Sequence, residues 1–252
     1  MAQQKGLIKI KGTIDGLTFL ETQDGHQVRK QKRAISKEAL LNGDNYARTR
    51  ENWNEFREGA HASKLIRQAI LPALQNCKDG RLVSRLTQEM IKVTKSDPVN
   101  GRGQRKVMDG DVTLLKDFNF NIKALLKVTL KLDLVPVIDR VTGKASVVIP
   151  AFKPSELISK PSGATHAKIH SMGCEFNFDD EKTVAKYFES DGFELVNNTV
   201  PAINIEHSLT PNSTNPLFLL VGIRFYDVVN GIYYPLMNGS FNALSIVETS
   251  RP

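Results

Sequence analysis

The period of the hydrophobic pattern changes once along this chain, and that change limits the folds open to it. Between Asp44 and Lys95 apolar residues recur at three- and four-residue steps, whereas from Phe118 onward they recur at every second position. The first period lays a stripe on one side of a helix and the second fills one face of a strand, so the two halves need different elements. A length of 252 residues allows two domains. We therefore expect an α+β fold, with an N-terminal β-hairpin plus helical-hairpin module over residues 1–110 and an antiparallel, immunoglobulin-like β-sandwich over residues 111–252.

Asp44 reads as the N-cap of a long helix whose core stripe is Tyr46, Trp53, Phe56, Ala60, Ile66, Ile70 and Leu74. Pro72 should kink or end it, since proline has no backbone donor. A second helix from about Asp79 carries Leu82, Val83, Leu86, Met90 and Val93 on one face and stops at Ser96-Asp97-Pro98. Ahead of them, Leu7, Ile8 and Ile10 lie between Gly6 and Gly12, Leu17 to Leu20 follow Gly16, and Asp24-Gly25 is a hairpin-turn dipeptide. A sheet this small does not stand alone and must pack on something else. Ser36 can cap a short helical turn that follows. Residues 97–111, with three glycines, a proline and three cations, read as a linker or exposed loop with the domain boundary near its end.

In the second half, Val128 to Leu134 alternates apolar with polar, and further strands are expected at Ala145–Ile149, Ala167–Phe178, Thr183–Phe188, Ala202–Leu209, Leu217–Val229, Ile232–Leu236 and Ala243–Val247. About seven short strands separated by turn signals is the pattern of a sandwich, with a barrel as its competitor. Asn230-Gly231 is the strongest hairpin signal in the chain.

Few constellations suggest chemistry. His166 and His170 would share a helical face, but on a strand four residues span ~13 Å at ~3.3 Å each, too far for one metal. Ser171-Met172-Gly173-Cys174 has no base nearby in sequence, and G-x-S-x-G and H-E-x-x-H are absent. Asp179-Asp180-Glu181 reads as a solvated turn, and Gly101-x-Gly103 lacks the third glycine and the strand context of a phosphate cradle. Cys77 and Cys174 read as small buried hydrophobes. No catalytic residue, metal ligand or cofactor is expected.

Charge is the informative feature. Residues 1–116 hold 22 Lys+Arg and 13 Asp+Glu, while the remainder holds 12 and 14. The cations Arg29, Lys30, Lys32, Arg33, Arg48, Arg50, Arg102, Arg105 and Lys106 are candidates to meet a polyanion, an acidic protein surface or another copy of the chain. Tyr46, Trp53 and Phe56 fit the helix core, which leaves a base-stacking platform poorly supplied. The segments Lys11-Gly12-Thr13-Ile14-Asp15-Gly16-Leu17-Thr18-Phe19, Arg48-Thr49-Arg50-Glu51-Asn52 and Asn238-Gly239-Ser240-Phe241-Asn242-Ala243 carry a further signal. In them, and over nearly its whole length, the chain resembles an uncharacterised family of similar-sized Bacteroidota proteins. That family has no established activity, so the resemblance implies no catalytic residue.

These readings lead to a non-enzymatic structural protein that forms homo-oligomers, in a phage-like or other self-assembling particle or tube. Leu7, Ile8, Ile10 and Phe19 are the expected subunit contacts. The alternative is a nucleic-acid-binding protein that uses the basic half. With no apolar leader and no membrane-length apolar run, a cytoplasmic location and no membrane partner are expected.

Overall fold

Two antiparallel strands of twelve and thirteen residues organise most of the molecule. The computed structural model of the chain describes residues 2–31, 35–236 and 239–251. By internal contacts the chain divides into two compact units, Met1–Arg50 and Glu51–Pro252. This division falls ahead of the boundary expected near residue 110.

The first unit is a four-stranded antiparallel sheet of β1 (Ala2–Gln3), β2 (Gly12–Ile14), β3 (Leu17–Thr22) and β4 (Gly25–Lys30), in the order β1-β4-β3-β2, followed by α1 (Lys37–Asn42). The turn at Gly25 (φ 100°) forms as the Asp24-Gly25 dipeptide requires. Ser36 caps α1 by accepting from the Ala39 amide. Leu7, Ile8 and Ile10 lie outside the strands.

The second unit contains the helices α2 (Ala47–Ala69), α3 (Leu71–Leu74), α4 (Leu82–Lys95), α5 (Leu126–Thr129) and α6 (Pro154–Leu157). Its strands are β5 (Val135–Asp139), β6 (Lys144–Ile149), β7 (His166–Asn177), β8 (Lys182–Glu189), β9 (Phe193–Glu194), β10 (Ile203–Ser208), β11 (Leu217–Val229), β12 (Ile232–Pro235) and β13 (Ala243–Ser250). β7 and β11 pair from Glu175–Leu217 to His166–Tyr226. The outer edge of β11 is shared by β13 and β12, and that of β7 by β8 and β9. β10, β6 and β5 form a separate three-stranded antiparallel sheet. Asn230 (φ 52°) and Gly231 (φ 78°) make the expected tight turn between β11 and β12.

Both faces of the central sheet are buried, which explains why β11 reads as a nearly continuous apolar run. Met172, Cys174, Phe176, Phe218, Leu220, Leu244 and Ile246 join one core with Ala62, Ile66, Leu86, Met90 and Val93 of the helices. Residues of the opposite parity, Ala167, Ile169, Leu217, Leu219, Val221, Ile223 and Phe225, join a second core with Ala145, Val147, Ile149 and Ile205 of the smaller sheet. The layers are helices, central sheet and small sheet.

Two expected details change. The alternation at Val128–Leu134 yields the helical turn α5 instead of a strand, because Leu126 and Leu130, four residues apart, both reach the second core. The buried stripe of α2 is Glu55, Gly59, Ala62, Ser63 and Ile66, while Trp53 (47% exposed) and Phe56 (56%) face outward. The cause is close approach to α4: a Cβ added at Gly59 would lie 3.0 Å from Ile91. That side of the helix admits small residues and turns the aromatics away. As expected, Pro72 ends the long helix and sits in the first turn of α3.

Space is tighter still at Gly222 within the central sheet, where a Cβ would lie 2.5 Å from the Ala243 carbonyl oxygen on β13 and against His170 Nε2 on β7. Gly222→Ala should therefore cost about 1–3 kcal/mol as an overpacked core site. Urea unfolding should show a lower midpoint at unchanged slope.

Candidate functional site

The first unit carries a sheet with no interior. Among its described residues none is buried, and Leu7 and Ile8 are 105% and 84% exposed. Register places Ile14 beside Leu17, and Phe19 beside Val28, with Ala2 paired to Val28. Ile14, Leu17, Phe19, Val28 and Ala2 thus form an apolar strip on one face, while Thr13, Thr18, Gln27 and Arg29 occupy the other. Arg29 and Lys30 are exposed at the end of β4, and no carboxylate among the described residues pairs with either. Lys32 and Arg33 lie outside the described residues. Arg50 donates to the carbonyls of Leu40 (3.1 Å) and Gly43 (2.8 Å), so it fastens α1 to the turn that follows it. Arg48 also has a partner.

The other expected cations are already neutralised within the second unit. Arg102 pairs with Glu51 (3.2 Å) and donates to Asn52 (3.1 Å), Arg105 pairs with the buried Glu55 (3.6 Å), and Lys106 pairs with Asp179 (3.0 Å). The Gly103 amide donates to Glu55 and the Val107 amide to Glu58. Gly103 itself (φ 84°) packs so closely on Glu51 that a Cβ would not fit. Residues 97–111 are therefore a strap laid on α2 and held by its three glutamates, not an open linker with a polyanion surface. Asp97 closes the strap, accepting from the Lys106, Val99 and Asn100 amides and the Asn100 side chain. Burial pushes its carboxyl pKa up, but these donors outweigh that effect and hold it below the usual range. The sequence carried a sign of this that was read otherwise: Glu51, Glu55 and Glu58 recur at helical spacing, opposite three cations in a loop.

Several of the interior polar groups hold structural hydrogen bonds, whereas His170 Nδ1 and Thr249 Oγ1 are buried without a partner among the described residues. Ser171 Oγ donates to the Leu220 carbonyl (2.8 Å), which can only accept, so His207 Nε2, 2.9 Å away, must carry a proton and donate to Oγ. With that nitrogen protonated, His207 has no lone pair there to take the serine's proton. Gly173 makes the crossing possible, since a Cβ there would lie 2.6 Å from His207 Cβ. Glu175 is held by Ser213 (2.6 Å), Asn215 (2.8 Å) and the Thr210 amide (3.3 Å). His170 Nε2 lies 3.9 Å from Cys77 Sγ, and burial pushes the Cys77 thiol up to about 11. His166 and His170 do lie on a strand, and among the described residues no group of three His, Cys, Asp or Glu is placed to hold a metal. A cleft of about 630 Å³ beside β13 has apolar walls from Leu126, Leu130 and Val247, and its rim carries the ion pairs Lys116–Glu248 and Lys127–Asp117.

Burial lowers the His207 pKa to about 4, against ~6.5 for an exposed histidine. Between those values the unfolded chain binds a proton that the folded chain refuses. Stability is thus complete above about pH 6.5 and is lost as the pH falls toward 4. Burial and Arg224 depress His170 in the same sense. His207→Gln should make the slope of stability against pH shallower across this window in urea titrations at pH 4.5–7.

Comparison of the chain with protein-family models, curated proteins and solved structures finds no match.

Proposed function

We propose that the protein is a non-enzymatic structural subunit of the cytoplasm that self-associates through its N-terminal sheet into a phage-like particle, ring or tube. The observation that carries this reading is the apolar strip of Ile14, Leu17, Phe19 and Val28, together with the exposed Leu7 and Ile8 of the preceding segment, on a unit in which no described residue is buried. A four-stranded sheet without a core gains little from folding alone, and the missing burial has to come from contact with another surface.

Charge favours one geometry for that contact. Residues 1–50 hold ten Lys+Arg and five Asp+Glu, whereas residues 111–252 hold 13 and 15. Two N-terminal sheets meeting face to face would bring like charges together. A head-to-tail contact with the acidic part of the next copy avoids this, and heterologous contacts of that kind build rings or filaments. In this reading the two facing sheets, immunoglobulin-like in size, are the rigid body of the subunit, and Arg29 and Lys30 border the contact. No helix among the described residues is long and apolar enough to cross a membrane, which agrees with an assembly formed in solution.

Light scattering after size exclusion should show oligomers at micromolar concentration. The double variant Ile14→Asp/Leu17→Asp should shift the protein to monomer and leave the melting of the second unit unchanged. A wild-type protein that stays monomeric across concentration and salt sinks the proposal.

A further inference from the structure

Among the described residues of the second unit, nothing covers the aromatic rings on the outward face of α2. Trp53, Phe56, Ala60, Lys64 and Arg67 follow one another at three- and four-residue steps, with Arg57 four residues after Trp53 on the same side, over about 21 Å at ~1.5 Å per residue. Among the described residues no carboxylate pairs with Arg57, Lys64 or Arg67, whereas Glu51, Glu55 and Glu58 are turned to the far side and bound by the 97–111 strap. The strap has an electrostatic consequence: it removes every acid of this stretch from the outer face and leaves cations and aromatic rings together. Trp53 and Phe56 remain half exposed, although large aromatic side chains gain from burial.

We propose that this face of α2 binds single-stranded nucleic acid, with Trp53 and Phe56 stacking on bases and Arg57, Lys64 and Arg67 neutralising phosphates. Aromatic rings interleaved with unpaired cations suit a polyanion that has accessible flat faces. A duplex offers phosphates but keeps its bases stacked inside, and an acidic peptide offers charge without rings for Trp53 to meet. This site differs from the basic residues of the connector and the strap, which are spent within the fold or lie in the first unit. It is also independent of whether the chain assembles.

Trp53 is the one tryptophan of the chain, so its emission reports stacking at this site directly. Titration of the full-length protein with a single-stranded oligothymidylate in 50 mM salt should quench that emission. With three phosphates contacted, log affinity should fall against log salt with a slope of about −2, a loss of roughly twentyfold between 50 and 200 mM. Arg57→Glu/Lys64→Glu and Trp53→Ala, read by the anisotropy of a labelled oligonucleotide, should each weaken binding about tenfold or more, while Trp53→Phe should keep most of it. These side chains are exposed, so circular dichroism should match the wild type. The assignment is overturned by absence of quenching at low salt, by equal quenching with a duplex, or by affinity that survives the double charge reversal. Quenching by polyglutamate but not by the oligonucleotide overturns it in favour of an acidic protein partner.

Discussion

The pairing of β7 with β11 is the constraint on which the rest of the second unit depends. Both strands are buried at successive positions, β11 with a nearly continuous apolar run and β7 with apolar residues on both of its faces, so neither face of the sheet they form meets water. One face needs the helices and the other needs the small sheet. Phe176 shows the packing that results, stacked on Phe178 at 5.4 Å and edge-on to Phe218 at 5.3 Å. Arg224 then fastens the helical layer to the sheet. Its guanidinium donates to Tyr187 and Glu189 on β8, each at 3.0 Å, and to the carbonyls of Pro72 and Ala73 in α3. Those carbonyls belong to a helix too short to satisfy them itself, and a charged donor is among the stronger partners available.

Charge works at a different level. The strap of residues 97–111 is short of apolar side chains, yet it is ordered by backbone donors gathered on Asp97 and by arginines on the glutamates of α2. It is fixed by these ionic hydrogen bonds together with Val107, which is fully buried in the first core, and Met108 packed against that core. What reads along the chain as a basic segment is, in three dimensions, close to neutral. The cations of α2 that lack a carboxylate partner among the described residues, Arg57, Lys64 and Arg67, lie on its opposite side.

Much of the fold was legible in the sequence where one local rule acted alone. Asn230-Gly231 specified its turn, Ser36 its cap, Pro72 its break, and the apolar run at Leu217–Val229 its strand. Errors arose where two rules competed. Trp53 and Phe56 are large apolar residues at helical spacing, and hydrophobicity alone sends them inward. Which side of a helix faces the core depends also on how near its neighbour stands, and only small residues, Gly59, Ala62 and Ser63, fit against α4. Val128 to Leu134 alternated like a strand, but the deeper anchors Leu126 and Leu130 were a helical turn apart. Leu7 and Ile8, expected as contacts, lie on an exposed bend outside the strands. The pairing of Arg102, Arg105 and Lys106 depends on residues about fifty positions away or more, which no local pattern discloses.

A sheet without an interior also has a kinetic and thermodynamic character of its own. Ordering each residue costs roughly 1–2 kcal/mol in backbone entropy, and in the first fifty residues little burial offsets that cost. Whatever covers the Ile14–Val28 strip therefore contributes to the folding of the segment as well as to the contact. Folding and association become linked by mass action, so the order of this segment should depend on concentration while the rest of the chain stays folded regardless. In the assembly proposed above, a subunit of this kind would stay dispersed and incompletely ordered when dilute, and acquire its final shape only as neighbours arrive.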